Sequence, residues 1–171
     1  MRVVGIDPGL RLTGYGCVDG QSPSISCRPA LIEAGIFRLR AADSVGDRLV
    51  ELDRDLEALL ERTSPDLLAV EKLYAHYKHP TTAIIMGHAR GVILLCARRR
   101  GIEVRELGAT EVKKSTTGHG HASKTQMQSA IAHELGLLAP PEPADVADAL
   151  AIALCGLRRA SDALAGTTIR R

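Results

Sequence analysis

The first apolar run, Val3, Val4 and Ile6, ends on an acid, Asp7, and turns at Pro8-Gly9. β-Branched residues in an unbroken run suit a buried strand, and Pro-Gly supplies turn chemistry. Two further runs, Leu12 to Val18 and Leu31 to Arg38, read as strands whose short connections favour antiparallel pairing. Gly14 and Gly16 weaken the second strand and allow a backbone or a phosphate to come close, with packing inside the sheet the preferred reason for them.

At Ser44 the period changes. Val45, Leu49, Leu52, Leu56 and Leu59 recur at helical spacing, and Ser44 with Asp47 resembles a capping box. The helix stops at Thr63-Ser64-Pro65, and residues 66–71 then predict a buried parallel strand reached by crossover, again ending in an acid, Glu71. Thr81 or Thr82 caps a long helix to Arg100, with Gly101 as its stop. Ala83, Gly87 and Gly91 leave a narrow stripe on it that fits a neighbouring helix of this chain or of a second subunit equally well. A fifth short strand, Glu103 to Leu107, precedes a polar segment, 108–123, whose second half is expected to be a mobile loop. Ser123 caps a helix through Leu135, and the prolines at 140, 141 and 143 break the chain before a last helix from Ala144 to about Arg159. The pattern predicts an α/β fold with a five-stranded sheet flanked by helices, in one domain over residues 1–160, followed by a flexible tail, 161–171.

Composition narrows the class. Among 171 residues, 45% are hydrophobic and 25% charged, which is ordinary for a globular domain and too polar for membrane spanning. No signal peptide opens the chain, so a cytoplasmic location is expected. Cys17, Cys27, Cys96 and Cys155 are scattered without a CxxC pair and read as reduced thiols. A net charge of +2 does not by itself indicate a polyanion partner. Phe37 is the one Phe and Trp is absent, which makes Tyr15, Tyr74 and Tyr77 conspicuous.

Asp145 and Asp148 lie three residues apart, on one face near the start of the last helix. Taken alone, they are better explained as complementing the helix dipole. Together with Asp7 and Glu71 they make four carboxylates from separate elements, the ligand chemistry of hard divalent cations. Without cations, such acids would repel and raise one another's pKa values. A pair of Mg²⁺ ions relieves this, and that arrangement points to phosphodiester cleavage before other hydrolyses. His119 and His121, with His76 and His79, are disfavoured as a transition-metal site, since no further ligands can be named. Lys72, Lys78, Lys113, Lys114 and Lys124 are spread over segments expected to flank the acids, as backbone contacts to nucleic acid would require.

The sequence resembles the RuvC family of bacterial Holliday junction resolvases, ribonuclease-H-like endonucleases, from Arg2 to about Leu157. The resemblance is carried by Gly5-Ile6-Asp7-Pro8-Gly9 with Thr13-Gly14-Tyr15-Gly16, Val70-Glu71, Gly87-His88-Ala89-Arg90-Gly91-Val92, Val112-Lys113, Ser123-Lys124-Thr125-Gln126, and the run from Ala144 to Ala151. It implies a mixed ribonuclease-H-like sheet, a homodimer, and Mg²⁺-dependent paired nicks, with Mn²⁺ as a substitute, in a four-way DNA junction. A branch-migration complex of RuvA and RuvB is the implied partner. Matched residue by residue, Asp7, Glu71, Asp145 and Asp148 are the metal-binding catalytic acids. Lys113 and Lys124 match lysines that contact DNA near the cleaved bond, and Lys124 is counted with the catalytic set. Tyr74 stands where the family usually has a Phe that stacks on bases at the crossover. The segment 75–80 and His88 depart from the commoner family pattern. The alternatives are another ribonuclease-H-like nuclease, an actin-like phosphotransferase, for which the chain is short, and a non-catalytic junction-binding module.

Overall fold

The computed structural model describes residues 1–20, 28–73 and 80–168. Five strands, β1 (Arg2–Asp7), β2 (Leu12–Asp19), β3 (Ala30–Arg38), β4 (Leu67–Glu71) and β5 (Glu103–Leu107), form one sheet in the order β3-β2-β1-β4-β5. Five helices accompany them: α1 (Val45–Thr63), α2 (Pro80–Arg99), α3 (Ala109–Thr117), α4 (Lys124–Leu135) and α5 (Ala144–Thr168). A short turn joins β1 to β2, and β1, β2 and β3 are successively antiparallel, whereas the crossovers through α1 and α2 return β4 and β5 parallel to β1. β1 therefore sits at the centre, where the sheet changes from antiparallel to parallel.

The central strands are apolar at consecutive positions because both sheet faces are covered, and alternate side chains go to opposite faces. Val3, Leu67 and Ala69 join Leu150, Ile152 and Leu154 of α5 on one side, a layer completed by Val112 of α3 and Ile131 of α4. Val4, Ile6, Leu68 and Val70 pack on the other side against Leu52, Leu56 and Leu59 of α1 and Ile93 of α2. The helix α1 is bounded as its sequence predicts. The Ser44 side chain accepts from the Asp47 N–H at 3.1 Å, and Ser64, in the left-handed region at φ 43°, donates its N–H to Leu60 at 3.0 Å.

On the first face α5 comes unusually close. A Cβ placed on Gly5 would lie 2.2 Å from the carbonyl oxygen of Ala149 and 2.4 Å from the backbone nitrogen of Ala153. Gly5 and Gly14 are thus explained by a helix backbone lying on the sheet, and Gly16 by the Leu150 side chain of the same helix, not by packing within the sheet alone.

Two helices differ from expectation. The first half of the polar segment after β5 forms α3, where the sequence pattern predicts no helix, and its Gly118 C-cap lies at φ 78°; most of the second half, residues 118–123, connects α3 to α4 as a loop. The last helix continues to Thr168, well beyond Arg159, and takes in most of the expected tail. The small-residue stripe on α2 has no helix of this chain against it among the described residues: Gly91 would meet nothing within 4 Å, and Gly87 only the Leu73 side chain at 3.8 Å. Cys17, Cys96 and Cys155 are buried and free, as expected, while Cys27 lies outside the described residues. Among the described residues, no helix is long and apolar enough to cross a membrane.

Because the atoms that Gly5 meets are backbone, Gly5→Ala forces α5 off the sheet. Overpacking of this kind costs about 1–3 kcal/mol, and for a chain of this size Tm should fall by roughly 2–4 °C per kcal/mol. Gly46→Ala, whose added Cβ meets only the Ser44 hydroxyl at 3.7 Å, should leave Tm unchanged or raise it slightly in the same thermal melts.

Candidate active site

Asp7 and Glu71 each follow the Ile6–Val70 pair at the C-terminal ends of the adjacent parallel strands β1 and β4. By the two-residue period both point to the α5 face, sharing it with Val3, Gly5, Leu67 and Ala69. Asp145 and Asp148 occupy the first two turns of α5. Gly14, the β2 partner of Asp7, sets the height of that helix end: a Cβ there would lie 2.1 Å from the carbonyl oxygen of Asp145. The close approach of α5 to the sheet is therefore what carries its two acids to the strand ends.

The four carboxylates act on one another. Burial, then the charges of Asp148, Glu71 and Asp145, push the Asp7 carboxyl up to about 7, with Lys124 opposing. Burial and Asp148 raise Glu71, against Lys113. Burial raises Asp148, opposed by Lys124 and Lys113 and reinforced by Asp145. Lys113 lies on α3, and Lys124 is the first residue of α4, where Ser123 and Gln126 exchange side-chain and backbone hydrogen bonds in a capping box. Both lysines expected beside the acids thus bear on them.

The supporting contacts are equally specific. The buried Thr13 hydroxyl accepts from the Gly9 N–H and donates to the Gly9 carbonyl, bracing the turn that follows Asp7. Arg90, 9% exposed, donates to the Glu71 carbonyl at 2.8 Å and pairs with Glu106 at 2.7 Å, tying α2 to the ends of β4 and β5. Asp7, Glu71 and Arg90 line a common cavity of about 390 Å³. Sequence reasoning missed Arg90 and Thr13 as parts of the site; a cation amid the apolar stretch of α2 was the available signal for the former. It also missed the helical setting of Lys113, although Glu111 in the first turn and Gly118 at the end mark α3. Tyr74 and the divergent segment 75–79, with Lys78, lie outside the described residues.

Four half-buried carboxylates, of which Asp7, Glu71 and Asp148 are held toward the protonated form by burial and by neighbouring acids, offer the oxygen donors that suit a hard divalent cation. A tighter cluster lies elsewhere. Among the described residues, Asp53, Glu57 and Cys96 have ligand atoms within 4.8 Å of one another. There the Cys96 thiol donates to Asp53 at 3.0 Å and is pushed up to about 12, mainly by burial. Arg99 pairs with Asp53 at 3.6 Å and Arg100 with Glu57 at 2.6 Å. A protonated thiol and two carboxylates already facing arginines form an ion-pair network between α1 and α2. The exposed His119 and His121 belong to no such cluster among the described residues, and His76 and His79 lie outside them.

The raised Asp7 pKa fixes the sign of a pH effect. Between about 3.8 and about 7 the folded chain holds a proton that the unfolded chain has released, so cation-free stability falls as pH rises through that window. In EDTA, Asp7→Asn should therefore be more stable than the wild type at pH 7 and nearly equal to it at pH 4, as read by urea unfolding. Added Mg²⁺ should restore the wild type at pH 7 much more than the variant.

Comparisons with known proteins bear on the family and the fold. The family model described as crossover junction endodeoxyribonuclease RuvC matches residues 3–156. A crossover junction endodeoxyribonuclease RuvC of Rhodopirellula baltica is 46% identical over 154 residues, covering 90% of this chain and 84% of that protein. The Thermus thermophilus RuvC structure superposes with a TM-score of 0.86 at 31% identity, covering 95% of this chain and 97% of that one. T. thermophilus RuvC in complex with Holliday junction substrate gives 0.83 at 28% identity, covering 94% and 95%. The sheet order and the helices on its two faces are those of a ribonuclease-H-like fold. The chain belongs to the RuvC family of crossover junction endodeoxyribonucleases.

Proposed function

We propose that this chain resolves four-way DNA junctions by paired, symmetrical, Mg²⁺-dependent nicks, leaving a 5′ phosphate and a 3′ hydroxyl, and that Asp7, Glu71, Asp145 and Asp148 are its metal-binding catalytic acids. The observation that carries this reading is the convergence of acids from β1, β4 and α5 onto one half-buried centre, where burial and the neighbouring acids raise the pKa of Asp7, Glu71 and Asp148. Mg²⁺, with Mn²⁺ as a substitute, would be held by these carboxylates and would supply the Lewis acidity that phosphodiester hydrolysis uses. In the reaction, water attacks phosphorus and the bond to the 3′ oxygen breaks. Asp7, the acid most strongly shifted, would hold the metal in its ionised form. Lys113 and Lys124 hold the scissile phosphate and offset charge developing on its oxygens, Lys124 also balancing Asp7 and Asp148. Tyr74 stacks on bases at the crossover.

Symmetrical nicks require two sites related by a twofold axis. The homodimer proposed here uses α2, where Ile84, His88, Gly91 and Leu95 follow one another at helical spacing and are all exposed, Ile84 by 60% and Leu95 by 48%. A branch-migration complex of RuvA and RuvB delivers the junction, in the cytoplasm.

Incubation of the purified protein with an end-labelled four-way junction should give paired nicks in opposing strands with Mg²⁺ and none in EDTA. Asp7→Asn should lower the nicking rate by at least about 10²-fold, the scale of losing one transition-state stabilising group, while junction binding in EDTA is retained. Nicking by that variant at the wild-type rate would exclude Asp7 from catalysis.

A further inference from the structure

Asp7 and Asp145 also open onto a larger cavity, of about 800 Å³, whose lining includes neither Lys113 nor Lys124. Three arginines line it: Arg11 in the turn after Asp7, Arg38 at the end of β3, and Arg48 in the first turns of α1. Their positions are fixed by the backbone. Leu12, next to Arg11, pairs with Arg38 across the β2–β3 ladder, and the Leu39 N–H donates to the Arg11 carbonyl at 3.0 Å. Arg48 Nη1 donates to the Leu10 carbonyl at 3.1 Å, which leaves its buried Nε without a partner.

Among the described residues none of these arginines is in an ion pair. Elsewhere Arg2, Arg62, Arg90, Arg100, Arg158 and Arg159 each face a carboxylate within 4.0 Å. Among the described residues Arg11, Arg38 and Arg48 face none within that distance, although acids are about as numerous in the chain as bases. Three guanidinium groups gathered on one cavity repel one another, and folding gains nothing from leaving them unpaired. The Leu10, Leu12, Leu39, Ile85 and Met86 side of the same cavity is apolar, a surface suited to sugars and base faces. An extended polyanion with apolar flanks matches both features, and a single strand of nucleic acid has that chemistry.

We propose that Arg11, Arg38 and Arg48 form a phosphate-binding track that holds the backbone of the strand being cut on the far side of the scissile phosphate from Lys113 and Lys124. The acids then lie between two basic flanks, and the strand is gripped on both sides of the bond that breaks. Arg48 is the fixed end of the track, since Leu10 orients it, and Arg11 and Arg38 are exposed and free to close on phosphates. This inference rests on the reading of the chain as a junction nuclease.

The test measures equilibrium binding of a synthetic four-way junction in EDTA over a range of KCl concentrations, using the full chain, Arg11→Gln/Arg38→Gln, and Arg28→Gln. Arg28 is an exposed arginine outside this cavity that removes one charge without touching the track. The double variant should bind at least about tenfold more weakly at 100 mM KCl, and its log K against log salt slope should be shallower by about two for each protomer bound. Arg28→Gln should keep the wild-type slope. A double variant with wild-type affinity and slope overturns the track, as does an Arg28→Gln loss equal per charge to that of the double variant, which would show only diffuse attraction. A wild-type chain that neither binds nor nicks the junction overturns the functional reading itself, and the track with it.

Discussion

The structure depends on one contact, the backbone of α5 against a sheet surface from which side chains have been removed. Gly5 and Gly14 leave space for the carbonyl oxygens of Ala149 and Asp145, and the helix answers with small residues of its own, Ala149, Ala153 and Gly156. At Gly156 an added Cβ would lie 2.8 Å from Ala69 Cβ, so the fit is close from both sides. The result is a helix held at one height and one rotation over β1 and β2. Since Asp145 and Asp148 are on its first turns, the same packing that builds half the core sets where these acids stand relative to Asp7 and Glu71.

Electrostatically the arrangement is costly. Burial, and after it the charges of neighbouring acids, raise the pKa of Asp7, Glu71 and Asp148. The core supplies the rigidity that holds them together: Thr13 locks the turn after Asp7, and Arg90 fixes the Glu71 carbonyl without neutralising the Glu71 carboxylate, its own ion pair being with Glu106. Local stability is thereby exchanged for a preorganised set of hard ligands, the usual relation between an active site and its scaffold.

Much of this was legible in the sequence. The unbroken apolar runs of β1 and β4 announced strands buried on both faces, and Ser44, Ser64 and Ser123 marked helix ends that the structure reproduces. The four acids were legible as a group because each ends or begins an element. What was not legible follows from physics that a linear pattern does not carry. α3 has a single buried residue, Val112, and a threonine-rich end whose hydroxyls bond back to the Val112 and Lys113 carbonyls, so neither hydrophobic period nor helix propensity reveals it. The role of Gly5 depends on α5, about 140 residues further along the chain, and no local reading of a strand glycine supplies that partner. The extension of α5 to Thr168 escaped notice because the sequence after Leu157 turns polar, with Arg158, Arg159, Ser161 and Asp162, and ends in Gly166, Thr167 and Thr168, which are weak helix formers.

The central claim is that α5 and the strand ends build one divalent-cation site from Asp7, Glu71, Asp145 and Asp148. Anomalous diffraction from crystals soaked in Mn²⁺ tests it most directly, because it locates the ion without reference to activity. The account predicts anomalous peaks among these four carboxylates. Peaks at Asp53, Glu57 and Cys96, with none between Asp7 and Asp148, would contradict it.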